Sequence, residues 1–123
     1  MSKKRVAVLI SGRGSNMAAL IEAAKEATFP AEIALVISNR PAAAGLLSAR
    51  AAAIATAVVD HAVHGENREA FERAMQAVLD AHRVEIVCLA GFMRLLTPWF
   101  LGRWPGRLIN IHPALLPAFR GLD

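Results

Sequence analysis

A mostly parallel α/β sheet is the architecture the sequence predicts, on three observations. Short apolar runs alternate with helix-like stretches in a β-α-β-α-β-α-β pattern with short connections. The longer runs lack the polar–apolar alternation of a half-exposed strand, which suits strands buried on both faces. Glycine, serine, asparagine and histidine collect just after the strands, where open parallel sheets bind ligands. Right-handed crossovers follow from the same alternation.

The first strand runs from Arg5 to Ile10 and ends at Ser11 and Gly12. A helix over 16–27 follows, with Leu20, Ile21 and Ala24 on one face, Ser15 or Asn16 as its cap and Pro30 as its stop. Ile33 to Ile37 form a second buried strand, closed by Ser38 and Asn39. The alanine-rich stretch 42–53 is a second helix, and Ala55 to Val59 a brief third strand. The clearest helix spans 67–82. Phe71, Met75, Val78, Leu79 and His82 lie on one side, and Arg68, Glu69, Glu72, Arg73, Gln76 and Asp80 on the other. Val84 to Ala90 make the fourth strand. Thr97 caps and Pro98 opens a short apolar helix, and Leu108 to His112 are strand-like before a loop marked by Pro113, Pro117 and Gly121.

Composition narrows the classes. The chain has 123 residues, 55% hydrophobic, with a net charge of +4, so it is one domain able to bury a core and not a disordered segment. No apolar run approaches the roughly 20 residues of a bilayer span. The basic start followed by Val6 to Ile10 is too short for a signal peptide. One cysteine excludes an internal disulfide framework, which places the chain in the cytoplasm. The pI of about 10.2 favours anionic partners. Lys3, Lys4 and Arg5 cluster, but the other basic residues are scattered with few aromatics between them, which argues against nucleic acid.

Candidate site residues follow the strands. The loop SGRGSN, residues 11–16, joins a strand to a helix; its glycines permit close backbone approach, and the helix start favours a phosphate. The dinucleotide fingerprint is half present: Gly12 and Gly14 fit, but Met17 stands where a third glycine belongs, and Asn39 and Arg40 replace a ribose-binding acid. A single-phosphate site and a plain strand–helix turn both remain open. Asn110 and His112, two apart on a strand, face one side. A hydrogen-bond donor for an oxyanion beside a proton carrier suits acyl transfer; a capped strand end is the alternative. Residues 91–96 either line a pocket for a flat ligand or pack the core. Arg68 either meets a carboxylate or is a solvated helix charge. His61 and His64 lack the further ligands of a metal site. His82 and Cys88 read as structural, and Trp99 and Trp104 as packing for the short helix.

Three stretches in order, SGRGSN at 11–16, LAGFMR at 89–94 and NIHPALLP at 110–117, resemble the phosphoribosylglycinamide formyltransferase family. Ser38, Asn39 and NREAF at 67–71 extend the likeness over the whole chain. The resemblance implies a Rossmann-like, mostly parallel sheet with helices on both faces, the formyltransferase fold. It implies formyl transfer from 10-formyltetrahydrofolate to the amine of phosphoribosylglycinamide in purine biosynthesis, with no metal. By the same resemblance, Gly12, Gly14, Ser15, Asn16 and Met17 hold the substrate phosphate. Arg68, Met93, Arg94, Leu95, Leu96 and Asn110 meet the folate. Asn110 binds the formyl oxygen and His112 donates the proton. The implied partners are small molecules, with neither nucleic acid nor membrane, and the protein is a monomer or a homodimer.

Two departures stand out. The family's chains continue past the position of Asp123, into a Thr-His pair and a catalytic Asp. Residues 1–123 are therefore expected to be a truncated, amino-terminal part of a single formyltransferase domain. Ala114 also stands where the motif usually has Ser. A formyltetrahydrofolate hydrolase and a non-catalytic phosphate- or nucleotide-binding module are the competing readings.

Overall fold

The computed structural model describes residues 3–111. The calls on His112, on the loop from Pro113 and on Ala114 and Asp123 lie outside that range. Within it the chain runs β1 (Lys4–Ile10), α1 (Ser15–Ala24), β2 (Ala31–Ser38), α2 (Gly45–Ala51), β3 (Ala55–Val58), α3 (His61–His64), α4 (Arg68–Ala81), β4 (Ile86–Leu89), α5 (Pro98–Leu101) and β5 (Leu108–Asn110). All pairings are parallel, in the order β3-β2-β1-β4-β5.

β1 lies in the middle, and its apolar run serves both faces, as predicted. Val6, Val8 and Ile10 point into a cluster with Met17, Leu20, Leu46 and Ala49 of α1 and α2. Ala7 and Leu9 point into a second cluster with Phe71, Met75 and Leu79 of α4 and Phe100 of α5. Helices thus cover both faces. The strand order reverses direction at β1, between β2 and β4, and a crevice at such a reversal is where doubly wound sheets bind ligands.

Several boundaries differ from expectation for local reasons. Gly14, left-handed at φ 73°, is the N-cap of α1, so neither Ser15 nor Asn16 caps it, and no side chain does. α2 starts at Gly45 rather than near 42, because the Gly45 amide is bonded to the Gly12 carbonyl at 3.0 Å. α3 was not anticipated; at four residues it is too short for periodicity, and it is nucleated by Asp60, whose carboxylate accepts from the Ala62 amide at 2.9 Å. Thr97 occupies the N-cap of α5, but its hydroxyl donates to Glu72 instead of capping.

The outer side of α4 is the largest correction. Glu72 and Gln76 belong to the polar side of the helix opposite its apolar stripe, yet both are buried. Glu72 accepts from the Thr97 amide at 2.6 Å and from its hydroxyl. Gln76 accepts from the Trp104 indole at 2.9 Å and donates to Asp80 at 3.0 Å. The segment 97–104 folds back across α4 and needs those acceptors, since buried donors left unpaired are costly.

Candidate functional site

The carboxyl edge of the sheet gathers the loop after β1, the end of β2, the loop after β4 and the end of β5. In the first loop, Gly14 is required twice over. Its φ is one that side chains rarely adopt, and a Cβ there would sit 3.1 Å from Met17 Cε and 3.2 Å from Gly45 Cα. The first bond of the α1 ladder is Ala18 N–H to Gly14 O at 2.8 Å. The amides of Ser15, Asn16 and Met17 therefore precede the ladder at the positive end of the helix, the arrangement that attracts an anion. Met17 contributes only its backbone, because its side chain is fully buried in the core.

Beside this loop a cleft of about 330 Å³ is lined by Ser11, Gly12, Arg13, Arg40 and Ala42 to Ala44. Its two arginines reinforce a positive field. Neither was singled out from the sequence as a site residue; basic residues directly after β1 and β2 were the available signal.

Under the loop lies a buried polar network. The Ser11 hydroxyl donates to Asn39 Oδ1 at 2.5 Å and accepts from the Met93 amide at 2.8 Å. His61 Nδ1 lies 3.1 Å from Asn39 Nδ2 and 3.0 Å from Asn39 O. Its neutral form accepts from the amide or donates to the carbonyl, according to tautomer. The strand ends of β1 and β2 are thereby tied to the loop after β4.

That loop turns at Gly91, φ 73°. Met93 and Leu95 project outward, 73% and 74% exposed, while Phe92 and Leu96 pack against the core. Phe92 stacks on Phe71 with centroids 6.4 Å apart, and the Arg94 guanidinium lies 6.0 Å from the Phe71 ring centre. Two large apolar side chains held open on one loop make a surface suited to a flat apolar ligand. Arg68 is exposed at the first turn of α4, which Asn67 caps through the Ala70 amide at 3.0 Å.

Asn110 is exposed at the end of β5, and its register partner on β4 is Leu89, itself paired with Leu9 of β1. It is therefore two strand spacings, roughly 10 Å, from Leu9 near the end of β1, after which the first loop begins. The structure brings together the glycine loop, residues 91–96 and Asn110 on one edge.

The remaining candidates behave structurally. His82 Nδ1 lies 3.0 Å from Val78 O, and His64 meets the edge of Phe71. Burial pushes the Cys88 thiol up to about 11. Trp104 is buried, and Trp99 lies between the guanidinium groups of Arg73 and Arg103, at 4.5 and 5.1 Å. Among the described residues no three His, Cys, Asp or Glu side chains are grouped to hold a metal ion. Among them, too, no helix is long and apolar enough to cross a membrane.

The family described as formyl transferase matches residues 4–123. The trifunctional purine biosynthetic protein adenosine-3 of Bos taurus is 51% identical over 119 residues, which cover 97% of this chain and 12% of that protein. The phosphoribosylglycinamide formyltransferase of Escherichia coli (strain K12) is 44% identical, over 95% of this chain and 55% of that enzyme. The crystal structure of phosphoribosylglycinamide formyltransferase from Brucella melitensis superposes with a TM-score of 0.86 at 50% identity, over 98% of this chain and 62% of that one. The chain spans about an eighth of the first relative's length and little more than half of the second's.

Proposed function

The chain belongs to the formyl transferase family, and on that footing we propose that it carries the substrate-holding half of a phosphoribosylglycinamide formyltransferase. One observation carries the reading. A helix start that favours a phosphate and an exposed asparagine stand on one sheet edge, the first following β1 and the second ending β5, with β4 between those strands. Two such subsites on one edge suit a ligand with its phosphate and its reacting amine at opposite ends of a pentose.

In this reading the backbone of Gly14 to Met17 fixes the phosphate. Arg13 and Arg40 add positive field beside it. The family implies a folate-type formyl donor; 10-formyltetrahydrofolate is the donor proposed, with Met93, Arg94 and Leu95 against its flat ring and Arg68 also meeting the folate. The substrate amine attacks the formyl carbon, and the carbonyl π electrons move to oxygen. Asn110 donates a hydrogen bond to that oxyanion, the kind of contact whose removal costs about 10²–10³ in rate. The new C–N bond forms, the bond to the folate nitrogen breaks, and the amine's proton leaves as the departing nitrogen gains one. His112, outside the described residues, is assigned that proton donation by the family motif.

The test is formyl transfer by the full-length protein from 10-formyltetrahydrofolate to phosphoribosylglycinamide. Turnover is expected, falling about 10²-fold in Asn110→Ala with substrate affinity retained. No transfer by the unaltered protein overturns the reading.

A further inference from the structure

We infer that Ser11 is a positioning residue that couples the two substrate loops, so that binding at the glycine loop raises affinity for the flat donor at residues 91–96. This rests on the proposed function, since it takes those loops as the two subsites. Ser11 is the first residue of the glycine loop, yet its hydroxyl is committed elsewhere. It has one proton to donate and gives it to Asn39 Oδ1; a lone pair takes the amide of Met93, 82 residues away. Ser11 and Asn39 are 3% and 1% exposed, so their mutual bond is closed to water, while the bond from the Met93 amide is half-buried.

The geometry makes the link specific. The Met93 side chain is open to solvent while its amide is fixed, so the backbone of the apolar loop is positioned from beneath by the phosphate loop. Its far end is held separately, at Thr97 by Glu72. Between those anchors lie only 94–96, of which Leu96 packs against the core and Leu95 is exposed. Asn39 is in turn braced by His61, which leaves Ser11, among the described residues, as the single side chain bonded to both the end of β2 and the loop after β4. A ligand that orders 11–16 therefore orders the acceptor of the Met93 amide. The energetic consequence is a coupling that must be reciprocal between the two ligands.

The experiment measures the Kd of tetrahydrofolate, which carries no formyl group to transfer, with and without saturating phosphoribosylglycinamide. In the full-length protein the second ligand is expected to tighten the first about five-fold. In Ser11→Ala that ratio falls to about one, each ligand still binding alone, and in Ser11→Thr, which keeps the hydroxyl, most of it returns. A measurement that needs no variant stands beside it. Hydrogen exchange at the Met93 amide of the unaltered protein slows when phosphoribosylglycinamide alone is added. An equal ratio in the protein and in Ser11→Ala, or Met93 exchange indifferent to that ligand, overturns the coupling and leaves the functional reading standing. Failure of the unaltered protein to bind either ligand overturns both.

Discussion

The two helical layers that cover the sheet position their loops by opposite means. In the α1/α2 layer the chains approach through small residues. Ala19, Ala43, Gly45 and Ala49 are buried there, and the Gly45 amide reaches the Gly12 carbonyl. What this layer offers at the sheet edge is backbone. The α4/α5 layer is built from Phe71, Phe100 and Trp104, and it buries Glu72 and Gln76 to hold N–H groups of the segment that follows. There a side-chain hydrogen bond, not a close backbone approach, fixes the loop. The first layer should therefore fail when volume is added, and the second when an acceptor is removed.

The largest effect is expected in the first layer. Gly14→Val forces a β-branched residue into the left-handed region, at about 1–2 kcal/mol. It also presses against Met17 and Gly45, at about 1–3 kcal/mol more. A combined loss of about 4 kcal/mol is expected in urea denaturation, together with weaker binding of a phosphate substrate. Gly45→Ala tests the same idea more gently. Its Cβ would meet Ile10 Cδ1 at 2.5 Å and the Arg13 and Gly12 carbonyls at 3.1 Å, which should cost about 2 kcal/mol. Unchanged stability in both variants would mean that close approach is not what shapes this layer.

In the second layer, Glu72→Ala strips the acceptor from the Thr97 amide and hydroxyl at once. A loss of about 2 kcal/mol is expected, because two half-buried donors are left unpaired. Glu72→Gln keeps one acceptor oxygen and should cost about 1 kcal/mol. The split between the two variants, read by guanidinium denaturation, sharpens the comparison. Equal losses would show that Glu72 acts by filling space rather than by accepting.

This difference also explains what could be read from the sequence. β1, β2 and α4 were legible because burial on two faces, or on one, leaves an apolar run or a 3.6-residue stripe. The position of the glycine loop was legible because the αL turn at Gly14 and the helix start after it are local features. Glu72 and Gln76 were misplaced because a helical stripe reports only the face turned to the sheet. Each sits next to a core residue, Phe71 or Met75, and is buried by a segment that returns some 25 residues later. Ser11 and Asn39 looked like separate strand endings; only the parallel pairing of β1 with β2, Ile10 opposite Ser38, brings them together. Asn110 lies on the expected strand, which ends at Asn110 within the described residues. Its role with His112 came from a motif, and half of that motif lies outside the described residues.

Ionisation provides the mildest test of the contrast. The buried carboxylate of the second layer comes with two donors from Thr97. The thiol that faces the first layer, Cys88, has none among the described residues, and burial raises its pKa from 9.0 to about 11. Between those values the unfolded chain has released the proton while the folded one keeps it. The unfolded state then binds fewer protons, so stability falls as pH rises, by about 1.4 kcal/mol per pH unit across that window. Below pH 9.0 both states are protonated and the contribution is fully present. Urea midpoints at pH 8 and pH 10 should therefore separate more for the protein than for Cys88→Ala, which lacks the group but shares every other titration. The thiol should also resist aromatic disulfide reagents at pH 8 until denaturant is added. Parallel pH slopes for the two proteins, or rapid labelling of the folded chain, would mean that water or a polar partner reaches Cys88. The first layer would then hold a buried polar group through a partner as the second does, and the division between them would fail at that residue.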